Sequence, residues 1–146
     1  STVGQLLAAA LGREFYDTDA LIVERTGKPI SEIFATRGEL AFRKLEQDVI
    51  AELSQKTGCV IATGGGAVLR AQNIQRLRAN GRIYFLDRPV DDIVPTDDRP
   101  LALDRAALEK RYKERYLIYC STADAIIPVQ GLPETVAESI RKEFST

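Results

Sequence analysis

The 146-residue sequence predicts an α/β domain built on a mainly parallel sheet. Two continuous apolar runs of strand length, Cys59 to Thr63 and Ile83 to Leu86, alternate with stretches of helical periodicity. Three glycines, Gly64, Gly65 and Gly66, follow directly on the first run, and ligands of such sheets gather at the carboxyl ends of the strands. At this length and 45% hydrophobic content, one compact domain spanning residues 1–146 is expected.

Each element has its own signal. Val3, Leu6, Leu7, Ala10 and Leu11 form a helical stripe closed by Gly12. Glu14 to Asp17 is short and aromatic, as a strand would be, and Thr18 to Arg25 reads as a helix ended by Gly27 and Pro29. Ser31 to Ala35 forms a helical turn. Thr36 with Glu39 has the spacing of a capping box for a helix running to about Lys56, with Phe42, Leu45, Val49 and Leu53 as its apolar stripe. After the glycines a helical stretch runs to Asn80-Gly81. Pro89 opens a short helix, residues 95–100 are loop-like, and Asp104 caps a helix to about Tyr119. Ala125 to Val129 is a last strand, and Pro133 starts a closing helix to Phe144.

Composition excludes several classes of function. Twenty basic against twenty-one acidic residues leave a charge of −1, so no bulk field draws nucleic acid or an anionic membrane. No run approaches the ~18 apolar residues of a membrane span, and the residues from Ser1 onward lack the charged and apolar regions expected of a signal peptide. The two cysteines, Cys59 and Cys120, form no C-x-x-C, a usage that fits a reducing cytoplasm. Histidine is absent, which removes histidine zinc sites and Ser-His or Cys-His nucleophiles. Acid–base chemistry must rest on carboxylates or lysines.

Several residues can carry such chemistry, and each has a plainer reading beside it. Ser1-Thr2 before a helix suits either a phosphate site or a simple N-cap. Asp17 and Asp19 flank a strand end, where they serve a magnesium site and a substrate pocket, or a solvated turn and helix cap. Arg43 can bind a carboxylate bidentately, or pair with Glu46 on a helix surface for about 0.3 kcal/mol. Gly64 to Gly66 cost much conformational entropy, as expected of backbone left open for an anion or a sugar-like hydroxyl rather than of a tight turn. Arg99 lies in a polar loop as either a lid residue or a solvated one. Arg115 faces the same pocket or solvent, and the nearby tyrosines read as packing.

In order, Ser1-Thr2 before a helix, Phe15 to Asp19, Ile33-Phe34-Ala35, Gly38-Glu39, Phe42 to Glu46, Thr63 to Ala67, Arg99-Pro100-Leu101 and Arg115-Tyr116 resemble shikimate kinase along essentially the whole chain. The resemblance implies a three-layer, P-loop NTPase-like parallel sheet flanked by helices, with strand order 2-3-1-4-5 and a lid at about 94–104. It implies ATP-dependent phosphorylation of the 3-hydroxyl of shikimate, giving shikimate 3-phosphate and ADP, a cytoplasmic step toward chorismate and the aromatic amino acids. Carried over residue by residue, Ser1 and Asp17 match the Mg2+ ligands, and Ser1, Thr2 and Arg99 match nucleotide contacts. Asp19 matches the residue that binds the substrate hydroxyls and accepts the proton. Arg43 and Arg115 match the carboxylate clamp, Gly65 and Gly66 the substrate-facing backbone, and Phe34 and Phe42 the pocket walls. Arg99 matches the lid arginine that approaches the transferring phosphate. The expected partners are shikimate and ATP, bound by a monomer, without nucleic acid or membrane.

Two departures stand out. Leu117 replaces a proline common after the Arg-Tyr pair. The family's first strand, glycine-rich loop and lysine have no counterpart from Ser1 onward, so the resemblance places about fifteen residues upstream of Ser1. A polypeptide beginning at Ser1 is expected to bind ATP weakly and to show no useful kinase activity, as intact mass and ADP release would reveal. The alternatives are another small P-loop kinase, acting on gluconate or a nucleotide, or a non-catalytic shikimate-binding regulatory domain. Asp19, Arg43, the glycine triplet and Arg115 suit a hydroxylated carboxylic acid better than a nucleoside monophosphate.

Overall fold

The computed structural model describes residues 2–88 and 105–145. Helix α1 (Thr2–Leu11) leads to strand β1 (Glu14–Asp17), followed by α2 (Thr18–Thr26), α3 (Ile30–Arg37) and α4 (Glu39–Leu53). Strand β2 (Cys59–Ala62) passes into a 3₁₀ segment (Gly65–Leu69) and α5 (Ala71–Ala79). Strand β3 (Tyr84–Asp87), α6 (Arg105–Thr122), β4 (Ala125–Pro128) and α7 (Pro133–Ser145) complete the order.

The strands form two parallel ribbons. β1 pairs with β2 from Glu14 opposite Cys59 to Asp17 opposite Ala62, and β3 pairs with β4 from Tyr84 opposite Ala125 to Asp87 opposite Pro128. These are the 2-3 and 4-5 neighbours of the expected order. Among the described residues β2 and β3, which that order places on either side of a first strand, are not bonded to each other.

Strand periodicity of two separates the layers. On one face Val60, Tyr84, Leu86, Ala125 and Ile127 pack with Val3 and Leu7 of α1 and Val136, Ala137 and Ile140 of α7. On the other, Tyr16 and Ile61 pack with Ile22, Ile33, Phe42, Val49 and Leu53 of α2, α3 and α4. Phe85, opposite in direction to Tyr84 and Leu86, meets Tyr116 and Tyr119 of α6. Helices thus cover both faces of the strands, which gives the predicted three-layer α/β architecture.

The predicted capping box does not form. Helix α3 continues through Arg37, so Thr36 lies within it and its hydroxyl donates to the Glu32 carbonyl at 2.7 Å. Gly38, at φ 85°, makes the break, and α4 starts at Glu39 with no side-chain cap. The Ser31 to Ala35 turn is accordingly a two-turn helix begun by Pro29. Helix α4 ends at Leu53, before the expected Lys56. The helix predicted at Pro89, the loop at 95–100, the Asp104 cap and the lid at 94–104 lie outside the described residues.

Gly27 closes α2 in the left-handed region (φ 69°), with its N–H donating to the Val23 carbonyl. Replacing it by alanine is expected to cost about 1 kcal/mol in urea unfolding, because a Cβ is disfavoured there. Leu40→Ala, at a site 79% exposed, should shift stability by less than about 0.5 kcal/mol. Equal effects of the two substitutions would contradict this account of the helix end.

Candidate active site

Gly64 to Gly66 leave the carboxyl end of β2, and none of the three has a positive φ. Handedness therefore does not explain them. Close approach does. A Cβ on Gly64 would lie 3.1 Å from Asp19 Oδ2, and one on Gly65 would lie 2.9 Å from the Tyr119 hydroxyl and 3.8 Å from Arg115 Nη1. A Cβ on Gly66 would overlap the Arg43 guanidinium. Side chains from α2, α4 and α6 thus converge on three consecutive residues that have no side chains of their own.

Arg43 and Glu46 are not a surface pair. The Arg43 side chain is 11% exposed and that of Glu46 is 1% exposed, with Arg43 Nη1 donating to Glu46 Oε1 at 3.1 Å. Glu39 adds a longer contact to Arg43 Nε at 3.6 Å. Burial pushes the Glu46 carboxyl above its ordinary range, opposed by the charge and hydrogen bond of Arg43. Asp19 raises it further and Arg115 lowers it, so all four charges share one field. Its Oε2 is buried without a hydrogen-bond partner. Phe34 and Phe42 stack beside them with ring centroids 4.9 Å apart.

Two participants are absent from the sequence-derived set. Glu46 had a signal: it stands four residues after Phe42 and three before Val49, a carboxylate on an otherwise apolar stripe. Tyr119 is one turn after Arg115, and its hydroxyl donates to the Gly65 carbonyl at 2.7 Å. The tyrosines of α6 do pack, with the Tyr119 ring 4.7 Å from Phe85, but their hydroxyls are engaged as well. Tyr112 and Tyr116 both donate to Asp87 at the end of β3.

Asp17 ends β1 and caps α2, with Oδ1 accepting from the Ala20 N–H at 3.0 Å. It also lines a cleft of about 500 Å³ with Gln5, one turn into α1 from the chain start. Asp17 is thus engaged at the helix cap and the cleft, whereas the Asp19 carboxylate stands beside Gly64. Thr2 is the exposed first residue of α1. Ser1 and Arg99 lie outside the described residues.

The shikimate kinase family model matches residues 1–145. The chain belongs to the shikimate kinase family. A shikimate kinase from Clostridium botulinum is 39% identical, covering 97% of this chain and 88% of its own length. One from Thermodesulfovibrio yellowstonii is 42% identical, covering 99% and 87%. Among solved structures, shikimate kinase from Acinetobacter baumannii in complex with shikimate superposes with a TM-score of 0.91 at 35% identity, over 97% of this chain and 84% of that one. The shikimate kinase from Aquifex aeolicus gives 0.88 at 34% identity, over 99% and 89%. The P-loop α/β fold expected of the family is thereby established for the chain.

In this family member, Gly66→Ala is expected to displace the Arg43 guanidinium and raise the KM for shikimate at least about 10-fold, the loss of one charge-assisted hydrogen bond. Steady-state kinetics with an unchanged KM would contradict the packing argument. A second expectation concerns pH. The folded state binds the Glu46 proton more tightly than the unfolded chain, so the stability this group gives at low pH is lost as pH rises from 4.5 through its raised folded value. The stability of the wild type relative to Glu46→Gln should accordingly fall as pH rises above 4.5 in urea titrations. A difference that stays level or grows would show that burial does not dominate at Glu46.

Proposed function

We propose that the chain transfers the terminal phosphoryl group of ATP to the 3-hydroxyl of shikimate, giving shikimate 3-phosphate and ADP in aromatic biosynthesis. The family match over residues 1–145 supports the reaction, and the convergence of Asp19, Arg43 and Arg115 on the glycine triplet supports the substrate. Two guanidiniums and a carboxylate around backbone free of side chains match an acid that also carries hydroxyls. Arg43 and Arg115 clamp the carboxylate, Gly65 and Gly66 offer backbone groups, and Phe34 and Phe42 wall the pocket. Asp19 hydrogen-bonds the hydroxyls and takes the proton as the substrate oxygen bonds to phosphorus and ADP leaves. Phosphoryl transfer needs in-line placement and charge neutralisation more than covalent help, which suits a site without histidine.

The single carboxylate of Asp17 fits Mg2+, which binds through one or two protein oxygens and keeps much of its water. The helix cap occupies only Oδ1 of Asp17. Asp17 and Ser1 would hold the ion, which supplies neutralisation of the phosphate charge. Ser1, Thr2 and Arg99 take the nucleotide contacts, Ser1 and Arg99 lying outside the described residues. Cys59 and Cys120 are both free thiols, in keeping with a cytoplasmic enzyme. Among the described residues no helix is long and apolar enough to cross a membrane.

A coupled ADP-release assay with ATP, magnesium and shikimate tests the reaction, with gluconate and nucleoside monophosphates as controls. Shikimate-dependent release is expected; activity confined to a control substrate would reject the assignment. Arg43→Lys should lower kcat/KM for shikimate about 10- to 100-fold with little change in ATP binding, because an ammonium cannot reproduce the bidentate contact.

A further inference from the structure

Resting on the shikimate reading of the site, we infer that Tyr119 is a positioning residue for the substrate-facing backbone: its hydroxyl fixes the Gly65 carbonyl and thereby aims the Gly66 N–H. The bond joins residues 54 apart in sequence at 2.7 Å. A trans peptide is planar, so fixing the Gly65 carbonyl toward Tyr119 turns the Gly66 N–H of the same unit in the opposite direction. Glycine restrains its own backbone least of all residues, so an outside anchor decides how this peptide lies.

The neighbouring peptides are held by similar means. The Ala67 N–H donates to the Gly64 carbonyl at 3.2 Å. Asn73, fully buried on α5, donates from Nδ2 to the Ala67 carbonyl at 2.9 Å. Tyr119 differs from these in its helix. Arg115 stands four residues earlier on α6, on the same face, with Nη1 3.8 Å from where a Gly65 Cβ would be. One helix thus brings both a cation and a hydrogen-bond donor to Gly65, and the Phe85 ring, tilted 31° against that of Tyr119, restrains the phenol. The hydroxyl ties the placement of Arg115 to the orientation of the glycine backbone.

The test is Tyr119→Phe in the full-length protein. The expected result is a rise of about 3- to 10-fold in the KM for shikimate, the worth of one neutral hydrogen bond, with kcat within about 2-fold of wild type. The KM for ATP should not move, and the melting temperature should fall by no more than about 5 °C, the worth of the same hydrogen bond. Tyr112→Phe is the control, since it removes a phenol of the same helix that bonds Asp87 and the Arg88 carbonyl instead; wild-type KM values are expected. Gly65→Ala should do less damage in the Tyr119→Phe background than alone, because removing the hydroxyl makes room for the methyl group. An unchanged shikimate KM in Tyr119→Phe, an equal rise in the KM for ATP, or an equal effect of Tyr112→Phe would overturn the inference while leaving the kinase reading in place. A wild-type protein without shikimate-dependent ADP release would instead remove the reading on which the inference rests.

Discussion

The approach of the Arg43 guanidinium to the bare backbone of Gly66 is the constraint around which the site is arranged. A cation can lie that close to main chain only where no Cβ intervenes, and it can stay buried only with a partner. Gly66 supplies the space and Glu46 the counter-charge. The ion pair lies on the inward face of α4, between Phe42 and Val49, so the helix that builds the core also delivers the charge. Packing and, on the proposed reading, binding are therefore specified by one set of residues, and neither Gly66 nor Glu46 can change independently of Arg43.

The electrostatics follow from that burial. Arg43, Arg115 and Asp19 all act on Glu46, and of the four Arg43 and Glu46 are buried while Asp19 and Arg115 are half-buried. The Glu46 carboxyl is raised because desolvation outweighs the neighbouring cations. A buried pair of this kind adds little net stability, since the cost of desolvation offsets the Coulomb gain. Its role is to fix where the charges point. On the proposed reading, a pre-arranged carboxylate clamp loses less entropy on binding than two flexible surface arginines would.

Helix α6 connects this region to the second ribbon. Its tyrosines stack on Phe85 and bond to Asp87 at the end of β3, while Arg115 and Tyr119 reach the segment that leaves β2. Among the described residues the two ribbons share no strand-to-strand bond, so α6 and the layer of α1 and α7 join them. If Arg115 binds substrate as proposed, this helix makes substrate geometry depend on how the two ribbons sit against each other.

By itself the sequence determined the order and type of the elements, because apolar runs, helical stripes and the closing glycines are local signals. The ends of α1 and α2, the two ribbons' strands and the closing helix all lie within a residue or two of where periodicity put them. It also carried the ordered residues Asp19, Arg43, Gly64 to Gly66 and Arg115, whose family pattern does not depend on coordinates. The Thr36–Glu39 spacing misled, since a capping box works only if the preceding chain is not already helical, and α3 runs on through Arg37. Whether Arg43 and Glu46 meet solvent or the core, why three glycines stand together, and what the Tyr119 hydroxyl bonds to were decided by the tertiary structure alone. Each depends on a contact between helices or segments distant in the chain, and burial, which turns an ordinary helix pair into a fixed binding element, exists only once those segments have packed.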